Sequence, residues 1–334
     1  MQTRQLGKST VHVTPVIFGA WAIGGWMWGG TDEAKSIEAI HAALDSGITT
    51  IDTAAIYGQG YSEELVGKAI KGRRDKVVIA TKCGMRWDDP KGEGTLAFDE
   101  KDKHGRPMKI FKNGRASSIA YECEQSLKRL GVDVIDLYQI HWPDLTTEPE
   151  ETIGAMEKLR LAGKVRAIGT SNYDVRWLER AERVATIASN QPPYSIINRG
   201  IEHNVLPFCR ENGIGTICYS PMERGLLTGK VTPDRQFPAD DHRSKHKFFT
   251  PENRQRVLDS LEKIRPIAEK HKATFAQLIV NWTVHQPGIT AALVGARDAE
   301  QAKQNAGAMN FTLSNDELKE IRAAFDETSR VMTH

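Results

Sequence analysis

Three polar side chains stand at the ends of apolar segments in the first half of the chain. Asp52 ends ITTID, Lys82 ends KVVIATK and His141 ends VIDLYQIH. A fourth residue, Tyr57, follows the first of these segments in AAIYGQG. The strands of a closed parallel barrel bring their carboxyl ends to one mouth. If these segments are such strands, the four side chains share one pocket.

A phenol, an ammonium, a carboxylate and an imidazole together suit proton donation to a carbonyl that is being reduced. A hydride that arrives at carbon leaves negative charge on oxygen, which needs a proton or hydrogen-bond donors. Tyr57 would donate the proton, and the Lys82 ammonium would lower the phenol pKa from about 10. Asp52 would hold Lys82 and offset its burial, while His141 would hydrogen-bond the carbonyl oxygen. Taken singly, each residue has a simpler interpretation as a surface charge, a turn residue or a structural histidine.

Amide and aromatic residues end the later apolar segments and suit a nicotinamide dinucleotide. Ser171 and Asn172 end one segment and Gln191 the next, where amide side chains could bind a carboxamide. Tyr219 ends a third, where its ring could stack on nicotinamide. The following loop, SPMERGLLTGK at 220–230, offers backbone amides and cations to a pyrophosphate.

Arg297 lies in VGARDAEQAKQN, close to the start of a predicted helix. Helix N-termini attract anions, and a guanidinium fits a 2′-phosphate. The sequence therefore favours NADP(H) over NAD(H), although an exposed arginine with an ordinary ion pair is the simpler alternative. GLLTGK does not have P-loop spacing, and GQGYSE lacks the third glycine of a Rossmann fingerprint. Any dinucleotide would thus bind without a Rossmann domain.

Short apolar segments alternate with segments of helical period along the chain. Nearly continuous apolar runs are typical of strands covered on both faces. We predict eight strands at Val13–Gly19, Ile48–Asp52, Lys76–Lys82, Val134–His141, Val165–Ser171, Ile187–Gln191, Ile214–Ser220 and Ile289–Gly295. Eight parallel βαβ units close a barrel more naturally than they fill an open sheet. The predicted fold is α/β, a (β/α)8 TIM barrel that forms a single domain over residues 1–334.

Further segments lie outside the eight units. Residues 1–14 are expected to form a hairpin over the bottom of the barrel. Residues 253–271 are expected to form an extra helix, bent or divided at Pro266, and residues 314–326 a terminal helix capped by Ser314.

Two long segments, 83–115 and 231–250, leave carboxyl ends of strands and are interpreted as loops. A loop of this length is usually functional or disordered. Each is either a lid over cofactor or substrate, or a solvated insertion.

Composition excludes several classes of function. The net charge is +2, from 45 basic and 43 acidic residues, without the basic face that nucleic acid requires. No apolar stretch approaches the roughly 18 residues that span a bilayer, and no apolar signal core is present. The four scattered cysteines and ten dispersed histidines fit no metal-site spacing. We expect a cytoplasmic monomer or weak homo-oligomer that binds a small-molecule substrate, without metal, nucleic acid or membrane.

These motifs resemble the aldo-keto reductase family, nearest to its bacterial branch of general stress reductases. The similar stretches are DTAAIYGQGYSEELVGKAI, ATK, DLYQIHWPD, GKVRAIGTSNY, YSPMERGLLTGK and VGARDAEQAKQN, which follow the family's order along the whole chain. The resemblance implies a (β/α)8 barrel, NADP(H), direct hydride transfer to a carbonyl, and Tyr57 as general acid. The implied catalytic set is Asp52, Tyr57, Lys82 and His141.

The resemblance also implies binding residues. The cofactor set is Ser171, Asn172, Gln191, Tyr219, Ser220, Pro221, Gly225, Leu226, Lys230, Gly295, Arg297, Gln301 and Asn305. The substrate mouth would include Trp21, Trp26, Trp87 and Trp142.

The chain departs from the family's pattern in two places, with Val294 where proline is common and a longer 83–115 segment. The implied activity is reduction of aldehydes, ketones or small sugars to alcohols. The alternative is a regulatory subunit on the same fold that senses nicotinamide redox state, which can retain the same four residues.

Overall fold

A computed structural model describes residues 1–26, 28, 30–89, 91–102, 105–238 and 241–333. Its strands are β1 (Arg4–Gln5), β2 (His12–Val13), β3 (Val16–Gly19), β4 (Thr50–Asp52), β5 (Val78–Cys83), β6 (Met85–Arg86), β7 (Thr95–Lys101), β8 (Pro107–Lys112), β9 (Ile135–Ile140), β10 (Val165–Ser171), β11 (Ser189–Gln191), β12 (Gly215–Cys218) and β13 (Ile289–Gly295).

The α-helices are α1 (Glu33–Asp45), α2 (Tyr61–Ala69), α3 (Ala116–Leu130), α4 (Pro149–Leu161), α5 (Val175–Glu182), α6 (Val205–Asn212), α7 (Pro251–Lys263), α8 (Arg265–Lys270), α9 (Phe275–Val284), α10 (Ala299–Ala306), α11 (Asn315–Ala324) and α12 (Asp326–Thr333).

Eight parallel strands close into a barrel in the order β3, β4, β5, β9, β10, β11, β12, β13 and back to β3. The predicted (β/α)8 barrel is therefore confirmed. Successive strand residues point to opposite faces, so Ile17, Leu137 and Ile217 belong to the cluster inside the barrel. Their neighbours Phe18 and Tyr138 belong to the cluster that packs against the helices.

The predicted additions at both ends are also confirmed. β1 and β2 pair as an antiparallel hairpin. The extra helix is divided into α7 and α8, with Pro266 in the first turn of α8, where its missing N–H costs no hydrogen bond. Ser314 caps α11, and its side chain accepts from the Glu317 N–H.

The first predicted strand is wrong in one respect, because it is divided at Thr14 and Pro15. The backbone N–H of Thr14 donates to Thr50 Oγ1 at 2.9 Å, and the Thr14 hydroxyl donates to the Val16 carbonyl at 2.7 Å. These bonds replace strand pairing, so the hairpin ends at β2 and the barrel begins at β3.

The segment 83–115 is not a plain loop. It contains the antiparallel sheet β6–β8–β7, which stands on the carboxyl end of β5. The segment 231–250 carries two short 3₁₀ helices, His242–Lys245 and Lys247–Phe249. Phe248 and Phe249 are buried, so this part of the segment packs on the protein and is not a solvated insertion.

Candidate active site

The four predicted catalytic residues all come from the carboxyl ends of three neighbouring strands. Asp52 is the last residue of β4, and Lys82 precedes the last residue of β5. His141 directly follows β9, and Tyr57 lies in the segment between β4 and α2. A Cβ on Gly58, at φ +60°, would lie 2.4 Å from the Gly24 carbonyl oxygen. Glycine at this position therefore lets the Tyr57 segment approach the loop that follows β3.

Lys82 is held from two sides beneath the barrel mouth. Its Nζ donates to Oδ1 of Asp52 in a short contact, and to the Thr53 carbonyl oxygen at 2.9 Å. Both side chains are buried. A buried ammonium requires such a partner, and Asp52 provides it.

The Tyr57 hydroxyl lies next to the pair formed by Lys82 and Asp52. The distance from Lys82 Nζ to the Tyr57 hydroxyl is 3.4 Å. The Tyr57 and His141 ring centroids lie 5.7 Å apart at an interplanar angle of 80°. The structure thus brings the four residues together as the sequence predicts.

The electrostatics differ from the prediction for Tyr57. Burial raises the pKa of Tyr57, and the Lys82 ammonium opposes this shift without cancelling it. The expectation of a lowered phenol pKa is therefore wrong, because burial disfavours the phenolate more than the ammonium favours it. Burial also disfavours the Lys82 ammonium, but Asp52 and Tyr57 together outweigh this effect and the pKa of Lys82 is raised.

His141 is neutral in this environment. Burial, helped by the charge on Lys82, holds the pKa of His141 well below its usual value. Its Nδ1 has no hydrogen-bond partner among the described residues. A protonated phenol and a neutral imidazole are both suited to donate hydrogen bonds to an oxygen atom.

Two amides that hold Asp52 extend the cluster toward the later strands. Gln191 Nε2 donates to Asp52 Oδ2 at 2.9 Å, and Gln139 Nε2 donates to the same oxygen at 3.2 Å. The sequence analysis assigned no role to Gln139. Its position two residues before His141, on the opposite strand face from Tyr138, is the signal that could have identified it.

A cavity of about 700 Å³ opens above this cluster. Its lining includes Asp52, Tyr57 and His141, whereas Lys82 lies beneath it. Twelve of the predicted cofactor residues also line the cavity, namely Ser171, Asn172, Gln191, Tyr219, Ser220, Pro221, Gly225, Lys230, Gly295, Arg297, Gln301 and Asn305. The structure places the Leu226 side chain elsewhere, in the apolar core between the barrel and α7 to α9.

The predicted amide groups are interlinked at the cavity wall. Asn172 has φ +60°, and its Nδ2 donates to the His141 carbonyl oxygen at 3.0 Å. The Tyr219 hydroxyl donates to Asn172 Oδ1 at 2.9 Å. The Ser171 hydroxyl donates to the Gln191 carbonyl oxygen at 2.9 Å.

The start of α10 differs from the open anion site that we expected. Asp298 caps the helix, and its Oδ1 accepts from the Gln301 N–H at 2.8 Å. A carboxylate therefore already occupies the helix N-terminus. Arg297 remains at the cavity, where its Nη2 donates to the Gly30 carbonyl oxygen at 3.1 Å.

The predicted tryptophans separate into two groups. Trp21, Trp26 and Trp142 line the cavity. Trp87 is absent from that lining. The Cζ atom of the Arg129 guanidinium lies over the Trp87 ring, 5.8 Å from the ring centroid. Other lining side chains that sequence reasoning missed are Trp28, Met85, Phe98, Arg224, Arg235 and Arg243.

The described residues include neither a cluster of metal ligands nor a membrane-spanning helix. No group of three or more His, Cys, Asp or Glu side chains there could hold a metal ion. Within the same residues, none of the helices has the length and apolar character needed to cross a membrane.

Comparisons with known proteins agree with this geometry. The model of the Aldo/keto reductase family matches residues 15–326. Aldo-keto reductase YhdN of Bacillus subtilis (strain 168) is 39% identical, over 98% of this chain and 95% of the relative. The NADH-specific methylglyoxal reductase of Escherichia coli (strain K12) is 35% identical, over 99% of this chain and 100% of the relative. The solved glycerol dehydrogenase AKR11B4 from Gluconobacter oxydans has a TM-score of 0.87 and 36% identity, over 98% of this chain and 95% of that chain.

Proposed function

The chain belongs to the aldo/keto reductase family of oxidoreductases, which reduce carbonyl groups, and we propose that it uses NADP(H) with Tyr57 as general acid. The substrates are aldehydes, ketones or small sugars, which are reduced to alcohols. One observation carries the proposal: the Tyr57 hydroxyl lies 3.4 Å from a buried ammonium, at the base of a large cavity.

Each of the four residues has a separate task. A bound nicotinamide dinucleotide supplies the hydride. Tyr57 and neutral His141 donate hydrogen bonds to the carbonyl oxygen, and Tyr57 transfers its proton as charge develops there. Lys82 stabilises the phenolate that remains. Asp52 keeps Lys82 charged and oriented beneath the cavity.

The cavity fits a dinucleotide through its charges as well as its amides. Five cationic side chains line it, namely Arg224, Lys230, Arg235, Arg243 and Arg297. Asp52 is the single acidic residue in the described lining, and it is paired with Lys82. Phosphate groups are attracted to such a concentration of cationic side chains, of which Arg243 is paired with Asp241. Asn172 and Gln191 are the side chains that would hold the carboxamide, as the family resemblance implies.

The preference for NADP(H) is a separate part of the proposal. It rests on Arg297, whose planar guanidinium suits a phosphate with two parallel hydrogen bonds. Relatives differ in this respect, since one is named an NADH-specific methylglyoxal reductase and another is named with NADP(+).

The test combines turnover with binding. Purified protein is mixed with NADPH and a panel of aldehydes, and the loss of the near-ultraviolet absorbance of NADPH is followed. We expect turnover that Tyr57→Phe reduces by about 10²-fold or more, while NADPH affinity remains. Tight NADPH binding without turnover of any aldehyde would overturn the enzymatic proposal in favour of a redox-sensing subunit.

A further inference from the structure

The turn 220–225, which follows β12, has an unusual backbone. Ser220, Glu223 and Arg224 have φ values of +58°, +44° and +53°, and Gly225 follows at +91°. Residues other than glycine rarely adopt this left-handed region, because their Cβ approaches the following carbonyl oxygen. Such residues persist only where the surrounding structure holds them, and they occur mainly at ligand sites. Specific contacts must therefore hold this turn.

The chain is fixed on both sides of the turn. Before it, the Tyr219 N–H donates to the Pro192 carbonyl oxygen at 3.1 Å. After it, Leu226 and Leu227 are buried in the apolar core between the barrel and α7 to α9. These contacts hold the ends of the turn, but they do not explain the conformation of the residues between them.

Glu223 supplies a contact from within the turn. The residue is 3% exposed, and its Oε1 accepts from the Ser195 hydroxyl at 2.8 Å. Burial raises the pKa of Glu223, while the Ser195 hydroxyl and the charge on Arg224 oppose this shift. A buried carboxyl group without a hydrogen bond would be unfavourable. The bond to Ser195 therefore favours the conformation in which Glu223 points into the protein.

Ser195 is a rigid anchor for this bond. Its backbone N–H and its carbonyl oxygen both pair with Asn198, at 3.1 Å each. Ile196 and Ile197, which lie between them, are buried in the same apolar core as Leu226. Backbone hydrogen bonds and burial thus fix the segment that carries Ser195, so that it can hold Glu223.

Arg224, the neighbour of Glu223, lines the cavity. Its Nε is buried and has no hydrogen-bond partner among the described residues. A buried donor without a partner is unfavourable. The edge of a guanidinium suits two oxygen atoms of a phosphate group, which accept parallel hydrogen bonds. The cavity therefore lacks an oxyanion at Arg224.

We propose that Glu223 is a positioning residue, which clips the turn 220–225 to Ser195 and so presents Arg224 to the diphosphate of a bound dinucleotide. The inference rests on the proposed function and adds to its site a residue that is absent from the described cavity lining. NADPH and NADH share the diphosphate, so the clip contributes equally to both. In this respect it differs from the role proposed for Arg297.

The experiment measures the dissociation constants of NADPH and NADH by tryptophan fluorescence. We expect Arg224→Ala and Glu223→Ala each to raise both constants about tenfold. Because Glu223 acts through Arg224, the double variant should also show about a tenfold increase, whereas independent residues would together give about 10²-fold. A purely structural role of Glu223 would not depend on Arg224 in this way.

Two further variants test the bond between Glu223 and Ser195. Glu223→Gln keeps an oxygen that can accept from the Ser195 hydroxyl, and should restore most of the affinity that Glu223→Ala loses. Ser195→Ala removes the donor and should raise both dissociation constants, which tests the clip even if Glu223→Ala does not fold. The control is Glu211→Ala, which removes an exposed carboxylate on α6 and should change neither constant.

Three results would overturn the clip. They are effects that multiply in the double variant, dissociation constants that Ser195→Ala leaves unchanged, and a loss of affinity confined to NADPH. Failure of the proposed function gives different results. Binding of NADH alone, or cofactor binding with the expected coupling but without aldehyde turnover, would remove that function and leave the clip. A protein that binds neither dinucleotide would contradict both.

Discussion

The side-chain amide of Gln139 donates a hydrogen bond from Nε2 to Oδ2 of Asp52 at 3.2 Å. Its Oε1 accepts from Gln191 Nε2 at 3.2 Å, and Gln191 donates to the same Asp52 oxygen. Lys82 binds the other oxygen of the carboxylate. Gln139 thus joins the amide that faces the cavity to the carboxylate that holds the Lys82 ammonium, and we propose that it is a positioning residue.

We expect Gln139→Met to lower kcat for carbonyl reduction about tenfold, with little change in the KM of the carbonyl substrate. The reason is that loss of one hydrogen bond to a buried carboxylate costs about 1.5–3 kcal/mol and loosens Asp52. Steady-state kinetics and urea unfolding measure both effects. Gln255→Met removes an exposed glutamine on α7 and should change neither. An increase in KM at constant kcat would show that Gln139 acts on substrate binding instead.

Lys82→Met is predicted to impair the chemical step far more than cofactor binding. Methionine fills a similar volume but leaves Tyr57 without its ammonium, and general acid catalysis contributes about 10²–10⁴-fold. We expect kcat to fall within that range while the NADPH dissociation constant changes less than about threefold. Single-turnover absorbance and fluorescence titration measure the two quantities.

The matched control for this prediction is Lys76→Met, which removes an exposed lysine just before β5. It should leave both the chemical step and NADPH binding intact. Equal losses of turnover and affinity in Lys82→Met would contradict the assigned role, because they would indicate a general disruption of the pocket.

Arg297→Ala is predicted to weaken NADPH about tenfold and NADH less than about twofold, because only NADPH carries the 2′-phosphate. Dissociation constants from fluorescence titration test this difference. Lys303→Ala removes an exposed cation on α10, a few residues after Arg297, and should alter neither affinity. Unchanged preference in Arg297→Ala would refute the assignment, and NADH preference in the unaltered protein would refute the choice of NADP(H).

The barrel and the clustering of Asp52, Tyr57, Lys82 and His141 could be predicted because both follow from chain order. Each apolar strand ends at a polar residue, and barrel closure places consecutive strand ends together. The side-chain partners of Asp52 could not be predicted in this way. Whether Gln139 or Gln191 reaches it depends on strand register and on the inward face of β9, which the sequence does not specify.

Features that depend on burial or on an irregularity in a strand also could not be predicted from the sequence. The direction of the Tyr57 pKa shift depends on how deeply the ring is buried, which outweighs the charge on Lys82. Phe98 reaches the cavity because of a bulge next to Leu96. A single extra residue reverses the facing pattern, so alternation in TLAFDEK alone would place this ring incorrectly.

The pH dependence of reduction is expected to be flat through the usual titration range of histidine. Burial and Lys82 keep His141 neutral there, and the raised pKa of Tyr57 keeps the phenol protonated to alkaline pH. In the proposed mechanism the protonated phenol is the active form, so we expect kcat/KM to fall as pH rises through its pKa, above about 10. An inflection near pH ~6.5 that His141→Gln abolishes would contradict the neutral imidazole.

Glu122 on α3 is predicted to make stability depend on pH near neutrality. Burial raises the pKa of Glu122 to about 7, against the opposing effect of Arg86. Its Oε2 accepts from the Gly84 N–H at 2.9 Å, and its Oε1 accepts from the Ser118 hydroxyl at 3.0 Å. The folded protein therefore binds this proton more tightly than the unfolded chain does.

The direction in which the free energy of unfolding changes with pH follows from that difference in proton binding. Between the ordinary glutamate pKa of about 4.3 and about 7, the unfolded chain has lost the proton that the folded protein keeps. The free energy of unfolding consequently falls by about 4 kcal/mol as pH rises through this window, and is constant above it. Glu122→Gln removes this dependence, because the amide is always neutral and can still accept from the Gly84 N–H.

Urea unfolding at several pH values measures the effect as a difference between two proteins. The unfolding free energy of Glu122→Gln minus that of the unaltered protein should rise by about 3 kcal/mol from about pH 5 to about pH 8. Glu124→Gln, an exposed change on the same helix, should show no comparable rise. Parallel stability curves for Glu122→Gln and the unaltered protein would mean that Glu122 is already ionised throughout this range, despite its burial.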